Sequence, residues 1–247
     1  MRALAALLLS AAAAACQEAQ LRGSLGWAGG SLRLDSDAPG LDDRADAELF
    51  QAHFEATSSR GFGGGLRYER YSSDGVDGLY RDPLDPSDPG VKASNEAFQA
   101  HFTYLMRQHR FEMAVRAGLM QSKLVLDDPI AADPEIDFTS FGPFFEVEPE
   151  VTLIRRGRSR WSVYGKFGFA FAPTSIDADN DPRDYVSEST FLNLELGTRY
   201  RAGPVELGLA FLGRYQSMDQ SSVTGGQFVY GFESGFHGLL LSAGVRF

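Results

Sequence analysis

The sequence predicts an all-β chain: a closed, antiparallel, up-and-down transmembrane β-barrel of about ten strands, with eight to twelve compatible with the pattern. Three observations predict it. Segments of about 12 residues alternate apolar and polar side chains, the period of a strand with one apolar face. The connections between them are alternately short and long. No apolar run is long enough for a spanning helix: the longest, Ala3 to Ala15, is about two-thirds of the roughly 20 residues required.

Composition limits the alternatives. With 43% hydrophobic and 12% aromatic residues over 247 positions, the chain can build one sizeable domain and is too rich in Phe and Tyr to be disordered. A net charge of -10 argues against nucleic-acid binding, which needs a basic face to displace counterions from phosphates. The single cysteine, Cys16, rules out an intramolecular disulfide framework.

The strands are expected in turn. Strand one covers 21-34, with a bulge expected at Gly29 and Gly30. Strands two, 47-58, and four, 95-106, both contain "FQAHF", and strand three, 61-72, lies between them. Strand five, 110-124, holds "FEMAVRAGLM", where Phe111, Met113, Val115, Ala117 and Leu119 oppose Glu112, Ala114, Arg116 and Gly118. Strand six, 139-154, carries Glu146, Glu148 and Glu150 on one stripe; strands seven and eight follow at 160-174 and 187-201. Strand nine, 204-217, sets Val205, Leu207, Leu209, Phe211 and Tyr215 against Glu206, Gly208, Ala210 and Arg214, and strand ten covers 235-247. Phe50, Phe98, Tyr104, Phe111, Phe145, Trp161, Phe171, Tyr200 and Tyr215 fall towards strand ends, as the aromatic girdles of a membrane barrel would.

Four short connections, "SSRG", "RQHR", "RRGRSR" and "YRAGP", contain no acid, whereas the five long ones hold 24 Asp or Glu against 5 Lys or Arg. An even strand count with short turns at one end and long loops at the other is the plan of an outer-membrane barrel with both termini on the periplasmic side. The last strand adds a more specific sign. Leu239, Leu241, Ala243, Val245 and Phe247 share one parity, and this ending resembles the C-terminal signature of the bacterial outer-membrane β-barrel superfamily. The resemblance implies that the terminal Phe is read by the barrel-insertion machinery.

Residues 1-19 read as a secretory signal peptide, with Arg2, an apolar middle and small residues for cleavage near 15 to 19, and the barrel domain as 20-247. Cys16 also stands where a lipoprotein cleavage box would place its cysteine, although Ala13 replaces the usual leucine.

If the apolar face meets lipid, the other face lines the lumen. It carries Gln51, His53, Glu55, Arg67, Glu69, His101, Thr103, Glu112, Arg116, Glu146, Glu148, Glu150, Lys166, Glu195, Arg199, Glu206, Arg214 and Arg246. Opposite charges in so narrow a barrel are expected to pair across it, because an unpaired buried ion is costly. His53 and His101, with Glu55 or Glu69, are either a metal or proton locus or members of a satisfied polar network in a duplicated hairpin. The glutamate ladder either favours cations in a pore or faces the arginines of other strands. Asp177, Asp179 and Asp181 alternate as weak Ca²⁺ candidates without the rest of the EF-hand pattern.

The expected function is a barrel with a largely plugged lumen, acting as a scaffold or through acidic outer loops. Its expected partners are outer-membrane lipid, lipopolysaccharide, the insertion machinery and other envelope proteins, with no cofactor and no nucleic acid. A narrow cation-preferring channel is the first alternative. An outer-rim enzyme built on His237, as the ten-strand omptin proteases build theirs, is the second; no pairing here matches their motif, and no catalytic residue is assigned.

Overall fold

The computed structural model describes residues 20-37, 42-73, 91-127, 135-178, 181-223 and 227-247. The expected signal peptide and Cys16 lie outside them, as does Asp179. Ten strands run as β1 Gln20–Ser36, β2 Asp42–Thr57, β3 Phe62–Ser72, β4 Lys92–Gln108, β5 Phe111–Asp127, β6 Glu135–Arg156, β7 Ser159–Ala178, β8 Asp181–Ala202, β9 Val205–Met218 and β10 Phe232–Arg246. Each pairs antiparallel with its neighbours in sequence, and β1 pairs with β10 to close the barrel. Closure gives every strand a partner on both sides along the apolar belt, while at the outer end β2 runs past β3 over 42-47 and β8 past β9 over 181-188. At the seam, Leu21 and Phe247 exchange both backbone hydrogen bonds, at 3.0 and 2.9 Å.

The short turns are tight. Three of them are two-residue connections, 109-110, 157-158 and 203-204, and in each the first residue takes a positive φ: His109 at 51°, Gly157 at 57° and Gly203 at 59°. That conformation suits the right-handed twist of the flanking strands, and glycine adopts it without cost. His109 does so with a Cβ.

The strands are longer than the alternation alone suggests. β6 has 22 residues, which at about 3.3 Å each and a tilt of about 45° rise roughly 50 Å, about twice the apolar band of an outer membrane. The extra length lies at the long-loop end, where the two faces exchange polarity without a change of parity. On β2, outward Arg44, Asp46 and Glu48 give way to outward Phe50 and Phe54, while inward Ala45, Ala47 and Leu49 give way to Gln51, His53 and Glu55. The same exchange recurs around the barrel. Arg33, Arg70, Glu96, Lys123, Asp184, Glu188 and Glu233 are exposed on the outer wall, around an interior of Leu32, Leu34, Tyr71, Leu124, Phe138, Ile176, Tyr185, Met218, Phe232 and Phe236.

Three expectations are corrected. Acidic residues assigned to long loops, such as Asp46, Glu48 and Glu188, stand on strands, and β7 to Ala178 and β8 from Asp181 run into the stretch expected as the fourth long loop. The interior is not polar throughout, because the outer section packs an apolar core as a water-soluble barrel does. The register of β1 runs unbroken through Gly29 and Gly30; the irregularities fall instead at Thr152/Ile154 and Ile176/Ala178.

Candidate functional site: the charged lumen

Below the apolar core, the barrel is apolar outside and charged inside. Leu25, Trp27, Phe102, Phe145, Trp161, Phe167, Leu194, Leu207, Leu209 and Leu241 are exposed on the belt. Phe62 with Tyr104 and Trp161 with Tyr200 pair at its short-turn margin, and Phe50 with Tyr68 at the other. Such a surface is stable only in an apolar surrounding: hydrocarbon takes the belt and aromatic rings take the interfaces.

Inside, the sequence-selected residues meet on three levels. Towards the outer core, Arg214 grips Glu69 through two hydrogen bonds of 2.8 Å, and Lys166 donates to Glu195 at 2.9 Å. Tyr164 donates to the same Glu195 at 2.6 Å, and the Arg199 guanidinium lies 4.0 Å from the centre of its ring. At mid-height, Arg67 holds Glu146 at 2.5 and 2.8 Å, and Arg116 reaches Glu55 at 2.6 Å, Glu146 at 2.8 Å and Glu148 at 2.7 Å. Towards the short turns, Arg199 bridges Glu148, Glu150 and Glu206, Arg201 bonds Glu150 and Glu206, and Arg246 reaches Glu112 at 3.2 Å.

Topology explains who meets whom. Arg116 stands beside Glu146 on the neighbouring strand, whereas Arg67 on β3 reaches Glu146 on β6 across the bore. Arg116 and Glu146 have 0% and 1% exposure, so their attraction acts in a medium where an unpaired charge would cost several kcal/mol. Eight glutamates meet nine basic residues in this network among the described residues, close enough to balance that its interior carries little net charge. Two cavities touching the network measure about 20 and 30 Å³, each the size of a water molecule rather than a channel.

Arg22, Arg160 and Arg201 belong to this network and were not singled out by sequence. Arg22 pairs with Glu148 and Glu206, Arg160 with Glu112, and Arg201 as above. Parity could have found Arg22, which shares the inward face with Leu32 and Leu34. At the short-turn mouth, Arg107, Arg155, Arg158, Arg160, Arg201 and Arg246 line an open basic basin of about 560 Å³.

The histidines divide in two. His53 and His101 are brought together, ring centres 5.6 Å apart, with Glu55 rather than Glu69 as the nearby carboxylate. His237 points outward and stacks on Phe211 at 6.5 Å, and among the described residues no carboxylate pairs with it. His109 lies in a short turn. Of the aspartate candidates, Asp177 is exposed at the end of β7, and Asp181 opens β8 opposite Ala178. Leu239, Leu241, Ala243, Val245 and Phe247 all face outward on the lipid side of the seam.

No family model matches the chain, and no curated protein matches it. Solved structures do. The outer membrane protease OmpT from Escherichia coli is 11% identical, with 93% of this chain and 96% of that one covered and a TM-score of 0.49. Neisserial surface protein A is 13% identical over 92% and 95%, with a TM-score of 0.36. The attachment invasion locus protein Ail of Yersinia pestis is 14% identical over 94% and 100%, with a TM-score of 0.28. The fold itself is shown by the strand pairing, a closed antiparallel up-and-down barrel of ten strands. These likenesses concern the fold alone, and the charged lumen of this barrel is described by its own residues.

Proposed function

We propose that the protein is an integral outer-membrane barrel with a blocked lumen, working as a structural or surface-interaction protein through its outer end, with both termini in the periplasm. The observation that carries this reading is Arg116. It has no exposure at mid-lumen, and its three glutamate partners tie β2, β5 and β6 together across the bore. A second plug supports it: the core above, from Leu32 to Phe236, is filled with apolar side chains, and the hydroxyls and amides among them, such as Ser140, Thr174, Ser189, Asn95, Ser122 and Ser234, already bond within the core.

The channel alternative rests on Glu146, Glu148 and Glu150, and each is held by at least one arginine, which leaves the stripe no charge to lend a passing cation. The rim-enzyme alternative rests on His237, which faces away from the interior and has no carboxylate partner among the described residues. The outer wall mixes exposed Asp46, Glu48 and Glu188 with Arg33, Arg70 and Lys123. That mixture suits lipopolysaccharide phosphates, met directly by the basic residues or through divalent cations by the acids.

Liposome swelling tests the blocked lumen. Vesicles carrying the folded barrel are expected to admit small sugars and salts no faster than empty vesicles; rapid swelling would return the reading to a pore.

A further inference from the structure

The mid-lumen histidines have a geometry that the charge network does not use. His53 on β2 and His101 on β4 flank β3, and the residue between Glu55 and His101 in the ladder is Gly65. A Cβ at Gly65 would stand 2.8 Å from His101 Nε2, so the glycine is what lets the imidazole lean across β3 towards Glu55. The Nε2 atoms of both histidines are buried and make no hydrogen bond, and the same holds for His101 Nδ1. The side chain of His101 is 0% exposed and that of His53 9%. Buried imidazole nitrogens normally find a hydrogen bond, so three that make none, two of them facing Glu55 Oε2 at 3.5 and 3.8 Å, are a signal.

The spacing identifies what they could share. His101 Nε2 lies 3.5 Å and His53 Nε2 3.8 Å from Glu55 Oε2, and ligand atoms of all three residues fall within 4.8 Å of one another. Ligands held about 2.0 to 2.1 Å from a tetrahedral ion stand about 3.3 Å apart, so two of the three edges need close by only a few tenths of an ångström. Arg116 Nε at 2.6 Å and Thr103 Oγ1 at 2.9 Å both donate to Glu55 Oε2, so an ion entering between the imidazoles takes Oε1 or displaces the Thr103 hydroxyl, with Arg116 left as the outer support of the carboxylate. Arg116 and Arg67 stand close by, but both are tied to Glu146, and Arg116 to Glu148 as well, which offsets their repulsion of a cation.

We propose that His53, Glu55 and His101 form a binding site for one divalent transition-metal ion, with zinc the best match. Two imidazoles and one carboxylate suit Zn²⁺ and its neighbours rather than Ca²⁺ or Mg²⁺, which prefer all-oxygen shells. The three protein ligands leave a fourth position for water. The ion would pin β2 to β4 over β3, adding a coordinate link to a wall otherwise joined there by the backbone ladders on either side of β3.

Calorimetric titration of the EDTA-stripped, folded barrel with ZnCl2 tests this. One ion per barrel is expected, with affinity falling about 100-fold or more in His53→Ala and His101→Ala. His109→Ala and His237→Ala should bind as the parent does, and acidic groups on the outer wall should respond equally in all four variants. Uptake that is absent in the parent, or unchanged by both lumen substitutions, would overturn the proposal. Where a lumen variant fails to fold, electron paramagnetic resonance of Cu²⁺ on the parent decides instead. Hyperfine structure from two imidazole nitrogens is expected, and a spectrum from oxygen ligands alone would refute the site.

Discussion

Arg67 on β3 and Glu146 on β6 hold each other through two hydrogen bonds, 2.5 and 2.8 Å long, across the centre of the barrel. The pair has exposures of 2% and 1%, so neither group keeps water as an alternative partner. Removing one partner should therefore cost far more than removing both. Glu146→Gln is expected to destabilise the barrel by about 3 to 5 kcal/mol, and the double change Arg67→Met with Glu146→Leu by much less. Urea unfolding in detergent micelles checks this through the shift in midpoint. A single-variant cost below about 1 kcal/mol would mean the lumen is wet and the pair exchangeable with solvent.

The polarity of the belt can be read from the two tryptophans. Trp27 and Trp161 are 47% and 46% exposed on the outer surface, Trp27 within β1 and Trp161 close to the 157-158 turn. In bilayers, brominated acyl chains should quench both, each responding best to a shallow bromine position, because Trp27 pairs with Phe50 at the outer margin of the belt and Trp161 lies at the short-turn margin. Emission insensitive to lipid bromine would contradict the outward belt.

His109 occupies the turn position that Gly157 and Gly203 hold elsewhere, with φ of 51°. A left-handed conformation penalises a side chain and not glycine. His109→Gly should stabilise the barrel by about 1 kcal/mol, provided the gain outweighs the entropy of a freer unfolded chain. The unfolding midpoint reports it, and a loss of stability would show that the imidazole makes a contact worth more than the strain.

The outer section should behave as a water-soluble core. Phe236 is 0% exposed and stacks on Tyr71 with ring centres 5.8 Å apart. Phe236→Ala is expected to cost about 3 to 5 kcal/mol through the cavity it opens, against about 1 to 2 kcal/mol for Leu239→Ala, whose side chain meets lipid. Equal losses would place both residues in the same environment, contrary to the exchange of polarity along β10.

How far the sequence leads depends on which signal each residue rests on. The alternation in "FEMAVRAGLM" and "VELGLAFLGRY" is enough to assign β5 and β9 and the lumen side of Glu112, Arg116, Glu206 and Arg214, because the period is local. The partners are not legible, since Arg214 with Glu69 and Arg67 with Glu146 depend on the stagger of strands far apart in the chain. The outer wall was misread as loop for a different reason. From Arg44 to Glu48 the charged residues face out and the apolar ones in, the reverse of the membrane section, so a search for one apolar lipid face stops at Phe50. The leaning of His101 over Gly65 was not visible either, because a glycine between two histidine strands acquires meaning only once the register sets it opposite Glu55.

Single-channel recording in a planar bilayer, at neutral pH and moderate salt, addresses the blocked lumen most directly. The folded parent barrel should give no steady openings, while Arg116→Ala, which deprives Glu55, Glu146 and Glu148 of their shared partner, should at most flicker beneath the intact apolar core. Steady cation-selective openings of the parent, reduced when Glu146, Glu148 and Glu150 become Gln, would contradict the blocked lumen and establish the glutamate stripe as the lining of a pore.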